Sequence, residues 1–152
     1  MAAINSRRVW LGTLVGGIVF FVWSMVVEFG LSAVIVGQAR MDIAGMNQWF
    51  LKTPRVPVAV FFVVWIVSLF LIAYGLSWAY AHLRTSAGAG PATAAKLGLA
   101  VGFAAGFPLE FAHSVFQPLS ARYAVMWMIE MIVGCILAAL AAGWMYREPA
   151  QS

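Results

Sequence analysis

Residues 56–81 read VPVAVFFVVWIVSLFLIAYGLSWAYA, an unbroken stretch without a single charged side chain. A helix rises about 1.5 Å per residue, so roughly 20 apolar residues cross the hydrocarbon core of a bilayer. This stretch is long enough to do so. It lacks the period-2 alternation of a barrel strand. In lipid a lone segment satisfies its own backbone polar groups only as a helix.

Three further runs of the same kind flank it. Val9 to Val36 is broken by one charge, Glu28. Leu97 to Val115 carries Glu110 and His113, and Tyr123 to Tyr146 carries only Glu130. The runs predict spans at about 9–33, 56–81, 95–116 and 123–146, within one domain covering 1–152. The expected fold is all-α: an integral membrane, four-helix transmembrane bundle with its termini on the same side.

Composition agrees. Of the 152 residues, 64% are hydrophobic and 9% charged, whereas soluble domains run near 45–50% and 25%. A chain of this size has too little interior to hide that much apolar surface. A water-soluble enzyme, a nucleic-acid-binding module and a disordered tail are therefore excluded. Nine Lys and Arg against five Asp and Glu give a net charge of +4. The basic residues sit mainly at the ends of the apolar runs, where they anchor helices to headgroups. Cys135, the single cysteine, lies inside an apolar run and reads as a small buried hydrophobe.

The connections carry their own signals. Within 37–55, the stretch 41–50 places Ile43, Met46 and Phe50 at spacings of three and four beside Trp49. That pattern fits a short helix in the headgroup layer or a loop with an aromatic anchor. RTSAGAGPAT at 84–93 reads as a flexible linker. Residues 117–122, with Pro118, read as a tight turn that makes helices three and four an antiparallel hairpin. At the start, Ser6-Arg7-Arg8-Val9-Trp10-Leu11 resembles a twin-arginine export signal over six residues. The apolar run after it exceeds a signal's length and offers no small-residue cleavage site. Arg7 and Arg8 are thus read as anchors. One face of the expected bundle collects Arg7, Arg8, Arg84, Lys96 and Arg147, and the other Arg40, Lys52, Arg55 and Arg122. That excess favours cytoplasmic termini, in a bacterial inner membrane.

Ionisable groups inside a bilayer are costly, roughly 2.5–3.5 kcal/mol each on insertion scales, and so need a reason. The topology puts Glu28, Glu110, His113 and Glu130 in the same half of the bilayer. Glu110 and His113 are three apart and share a helix face. Glu-x-x-His is also the spacing by which carboxylate bundles offer two metal ligands from one helix. The second such motif and the fourth Glu of a di-iron site are absent from the sequence. Several carboxylates in a low-dielectric interior cannot all stay ionised. The four residues therefore form a candidate proton-, metal- or cation-binding cluster, or a polar cluster that holds the bundle together. Glu28 has a third choice, reaching the headgroups if helix one ends near Gly30.

Small residues mark where helices meet. Gly98, Gly102 and Gly106 repeat every four residues and lead on to Glu110. Gly134, Ala138 and Ala142 form a similar row below Glu130. Small-xxx-small rows let helix backbones approach closely, so these two rows are expected to join helices three and four. Gly12 and Gly16 supply a third motif, and any of the three could serve a homodimer. Pro108, two residues before Glu110, frees the carbonyl of Ala104 and invites a kink. Trp23, Trp65 and Trp127 lie deep and read as core or lipid-facing rings.

Two function classes fit. The first is a small accessory or structural membrane component, without enzyme activity or cofactor, whose partners are the lipid bilayer and a second copy or other membrane proteins. The second is a protein that binds or transports a proton, metal ion or small cation through Glu28, Glu110, His113 and Glu130. His82 and His113 fall at opposite ends of the bundle and so cannot clamp one haem.

Overall fold

The computed structural model describes residues 4–37, 57–116 and 120–146. The expected headgroup-layer helix at 41–50 lies outside them, as do residues 117–119 of the expected turn. Among the described residues the chain is all-helical. Four helices, each long and apolar enough to cross a membrane, are α1 (Ser6–Ile35), α2 (Val58–Ala87), α3 (Pro91–Phe116) and α4 (Ala121–Met145).

Local chemistry sets the ends. The Asn5 side chain caps α1 by accepting from the Arg8 N–H at 3.2 Å, the usual Ncap role. Pro91 opens α3, at the position where its missing N–H is harmless. The linker between α2 and α3 is far shorter than the flexible segment expected at 84–93. Residues 84–87 extend α2, residues 91–93 begin α3, and only Gly88–Gly90 lie between. Hydroxyls stabilise the last turn of α2: Thr85 donates to the His82 carbonyl at 2.7 Å and Ser86 to that of Leu83 at 3.3 Å. The chain then turns through two glycines with positive φ, +86° at Gly88 and +150° at Gly90, a backbone that side-chain-bearing residues rarely adopt.

α3 packs along α4, and α1 packs between α4 and α2, while α2 and α3 meet far less. The start of α1 and the end of α4 share one end of the bundle, where the Asn5 N–H donates to the Tyr146 hydroxyl at 2.9 Å. The Tyr80 hydroxyl takes the Gly90 N–H at 3.0 Å at the same end. Buried residues form three clusters. Val9, Tyr80, Ala81, Ala94 and Tyr146 lie at this end; Phe20, Leu69, Leu76, Cys135, Ala138 and Ala139 in the middle; Val27, Val36, Tyr123 and Met126 at the far end.

One stretch of α4 packs through small side chains. α4 buries Gly134, Cys135, Ala138, Ala139 and Ala142, while Trp10, Phe29, Phe103 and Phe111 face outward. Phe103, Phe107 and Phe111 stack along the outside of α3 with ring centroids 5.0 and 5.9 Å apart.

The glycine rows explain the close packing and correct one expectation. A Cβ on Gly98 would fall 2.6 Å from the Cys135 carbonyl oxygen, and one on Gly102 would fall 2.8 Å from the Ile132 Cα. These two positions hold α3 against the backbone of α4. The Gly134, Ala138, Ala142 row turns instead to α1. Gly134 receives the Phe20 ring, and Gly16 and Gly12 lie against Ala138 and Ala142. α4 is the central helix and uses separate faces for its two neighbours. The face it gives α3 is Met131, Ile132 and Cys135, which carries no small-residue pattern. Gly12 and Gly16 are thus occupied within the chain.

Candidate functional site

The backbone of α1 changes character where its carboxylate sits. Residues Val26–Leu31 form a π-helical turn, with the Ser32 N–H bonded to the Val27 carbonyl, five residues back. Glu28 lies within this turn. The Ser32 hydroxyl donates to the Glu28 carbonyl, giving the widened turn a side-chain partner. The helix does not end at Gly30 but runs on to Ile35. π-turns inside helices occur frequently at functional sites.

The wide turn aims Glu28 at α4 rather than at headgroups. Its Oε1 accepts from the Trp127 Nε1–H at 3.0 Å. One turn along, α4 presents Glu130, 7% exposed, whose Oε1 accepts from the fully buried Ser24 hydroxyl of α1. The Trp23 Nε1–H donates to the Glu130 backbone carbonyl at 3.1 Å. Each of the two helices thus supplies a carboxylate and an indole to the other. A buried carboxylate needs such donors, because an unpaired one carries its full desolvation penalty.

The third carboxylate is held differently. Glu110 Oε2 lies 3.2 Å from His113 Nδ1 on the same face of α3, as the i,i+3 spacing requires. His113 is one-third exposed. α3 runs as one helix through Pro108. Glu28 is tied to Glu130 through the chain of α4, since its partner Trp127 lies three residues before Glu130. The hydrogen bonds of Glu28 and Glu110 run to Trp127 and His113 rather than to one another.

Among the described residues no three His, Cys, Asp or Glu side chains come together as a metal-ligand set. No buried side-chain nitrogen or oxygen among them lacks a hydrogen-bond partner. Trp23, Trp127 and Ser24 are the participants that sequence reading missed. The available signal was facing: Ser24 lies four residues before Glu28, and Trp127 three before Glu130, so each helix lines up a donor with its carboxylate.

No protein family, no curated protein and no solved structure matches this chain.

Proposed function

We propose that the chain is an integral membrane protein of four spans with an accessory or structural role, and that its intramembrane carboxylates fasten α1 to α4. The observation that carries this reading is the mutual pairing of the two helices, with Ser24 on Glu130 and Trp127 on Glu28. These carboxylates have donors from within the chain, as expected of groups that hold a bundle together. The glycine contacts between helices and the exposed aromatic side chains support insertion in lipid, where packing rather than hydrophobicity joins helices. The paired ends Asn5 and Tyr146, with five basic residues on that side against four on the other, support termini facing the cytoplasm. The membrane is the bacterial inner one in this reading, and the partners are lipid and other membrane proteins or further copies of the chain.

Single-cysteine labelling tests the topology. In a Cys135→Ala background, Ala89→Cys should react with an impermeant reagent from the cytoplasmic side and Gly45→Cys from the opposite side. Reaction of both from one side would remove the four-span arrangement.

A second reading, proton or small-cation binding at Glu28 and Glu130, is favoured by one observation: Glu28 occupies a π-turn of the helix. One experiment separates the two. Protein reconstituted into vesicles with a pH-sensitive dye and an imposed proton or sodium gradient should leave the gradient intact under the structural reading. Dissipation by the parent, abolished by Glu28→Gln, would establish the second reading instead.

A further inference from the structure

α1 changes register at its π-turn. Val27 is fully buried at the start of the turn, and Val36, beyond it, is 1% exposed. Both pack in the far-end cluster with Tyr123 and Met126 of α4. The two valines are nine residues apart. A regular α-helix turns about 100° per residue, so nine steps would place them about 180° apart, on opposite faces. The π-turn takes up one extra residue. The remaining eight steps leave them about 80° apart, on one side of α1. The wide turn is therefore what lets both valines face α4.

A second residue is placed for the other register. Without the extra residue, Ile35 falls at the angle that Val36 now holds, eight α-helical steps from Val27. Ile35 is half-buried and already packs against the same cluster, whereas Ala33 and Val34 are exposed. The hydrogen bonds also have two settings. The Ser32 N–H takes the wide step to the Val27 carbonyl, and the Ser32 hydroxyl fills the Glu28 carbonyl. That carbonyl is the acceptor the same N–H would take in a regular helix. In the middle of the turn, the Glu28 carboxylate is tied across to Trp127 of α4 at 3.0 Å. The outer side of the turn is unobstructed: Phe29 is 75% exposed, and nothing lies within 4 Å of a Cβ on Gly30.

We infer that the π-turn is a two-register hinge. The wide register, held by Ser32 and by the Glu28–Trp127 bond, buries Val36. When Glu28 leaves Trp127 the turn tightens, the end of α1 rotates by about 100°, and Ile35 replaces Val36 against α4. A trigger shifts such an equilibrium only by treating the two registers differently. The Glu28–Trp127 bond does so, because Glu28 lies within the backbone that changes step. Packed interfaces move between discrete arrangements rather than deforming continuously. The hinge stands on α1 and α4 alone and goes beyond both functional readings above. Under the cation reading, a cation that draws Glu28 from Trp127 is its trigger.

Single cysteines at 35 and 36, in the full chain with Cys135→Ala, test the hinge through their rates of reaction with N-ethylmaleimide in micelles. In the parent, Val36→Cys should react more slowly than Ile35→Cys. Deletion of Gly30 removes the extra residue at an open position and should reverse that order. Ser32→Ala and Glu28→Met should each move the ratio of the two rates about threefold toward the deletion pattern, the weight of one side-chain hydrogen bond in a membrane protein. An unreversed order on deletion of Gly30, or a ratio that either substitution leaves unmoved, would overturn the inference. An intact gradient in the vesicle experiment bears on the cation reading alone, so the two failures remain distinct.

Discussion

Gly98→Leu should separate α3 from α4 and lower stability by about 3 kcal/mol or more. Overpacking a well-filled interior typically costs about 1–3 kcal/mol because side chains shift to make room. Here the obstruction is backbone: the added Cβ alone would lie 2.6 Å from the Cys135 carbonyl oxygen and from the Ile136 Cα. A helix backbone cannot step aside, so the helices must move apart. Gly102→Leu should act in the same direction, its Cβ lying 2.8 Å from the Ile132 Cα. Gly75→Ala is the control. Nothing lies within 4 Å of a Cβ there, and replacing a helical glycine by alanine gains about 1 kcal/mol of helix propensity. Thermal melts in detergent should show a large fall for the first two variants and none for the third. An unchanged melt for Gly98→Leu would mean that the glycine row does not face α4.

Phe20→Ala should be nearly as damaging, through the opposite fault. Phe20 is fully buried and its ring occupies the space left by Gly134. It also packs in the central cluster with Leu69 of α2 and Ala138 of α4, so one side chain joins three helices. Phe→Ala in a packed core costs about 3–5 kcal/mol. In the proposed bilayer setting lipid is as apolar as the interior, and lost contact rather than lost burial sets the cost, so a value near 3 kcal/mol is expected. Gly134→Leu alone should destabilise by clash with the ring. The double variant Phe20→Ala/Gly134→Leu should recover part of the loss, because each change fills the fault of the other. Strictly additive losses would show that the two positions are not in contact.

The four helices were legible because runs such as 56–81 leave a chain in lipid no other backbone arrangement. The outer bounds of the helices were less so. Arg84 to Ala87 is polar and looked like linker, but an apolar run marks only the part of a helix that needs an apolar surrounding. The π-turn was hidden for a related reason: hydropathy counts residues, not the hydrogen-bond step between them. The sequence around it offered only Gly30 and a run too long for one straight crossing.

The candidate site was read in part. Glu110 and His113 share a face by spacing alone, and the structure pairs them. The partners of Glu28 and Glu130 lie on another helix, about 100 residues away in the chain, where no local period can point. Trp23 and Trp127 looked apolar because ring area dominates their hydropathy, yet each indole N–H needs an acceptor when buried. The same reliance on local pattern assigned the Gly134 row to the wrong neighbour. A small-residue row says that a helix is approached closely, not which helix approaches.

The central claim is that the Ser24–Glu130 pair joins α1 to α4 inside the bundle, and a double-mutant cycle on that pair tests it most directly. Ser24→Ala removes the donor to Glu130 Oε1 and leaves a buried carboxylate without it, a loss of about 1–3 kcal/mol. Glu130→Met replaces the carboxylate by an apolar side chain of similar length. The double variant removes both partners, a change that is nearly neutral when the shape is kept. Unfolding free energies measured in bilayer-mimetic micelles should therefore give Ser24→Ala alone the larger loss, with most of it recovered in Ser24→Ala/Glu130→Met. The coupling should fall at about 0.6–1.7 kcal/mol, the range found for hydrogen bonds between membrane helices. Losses that simply add, with no coupling between the two positions, would contradict the account.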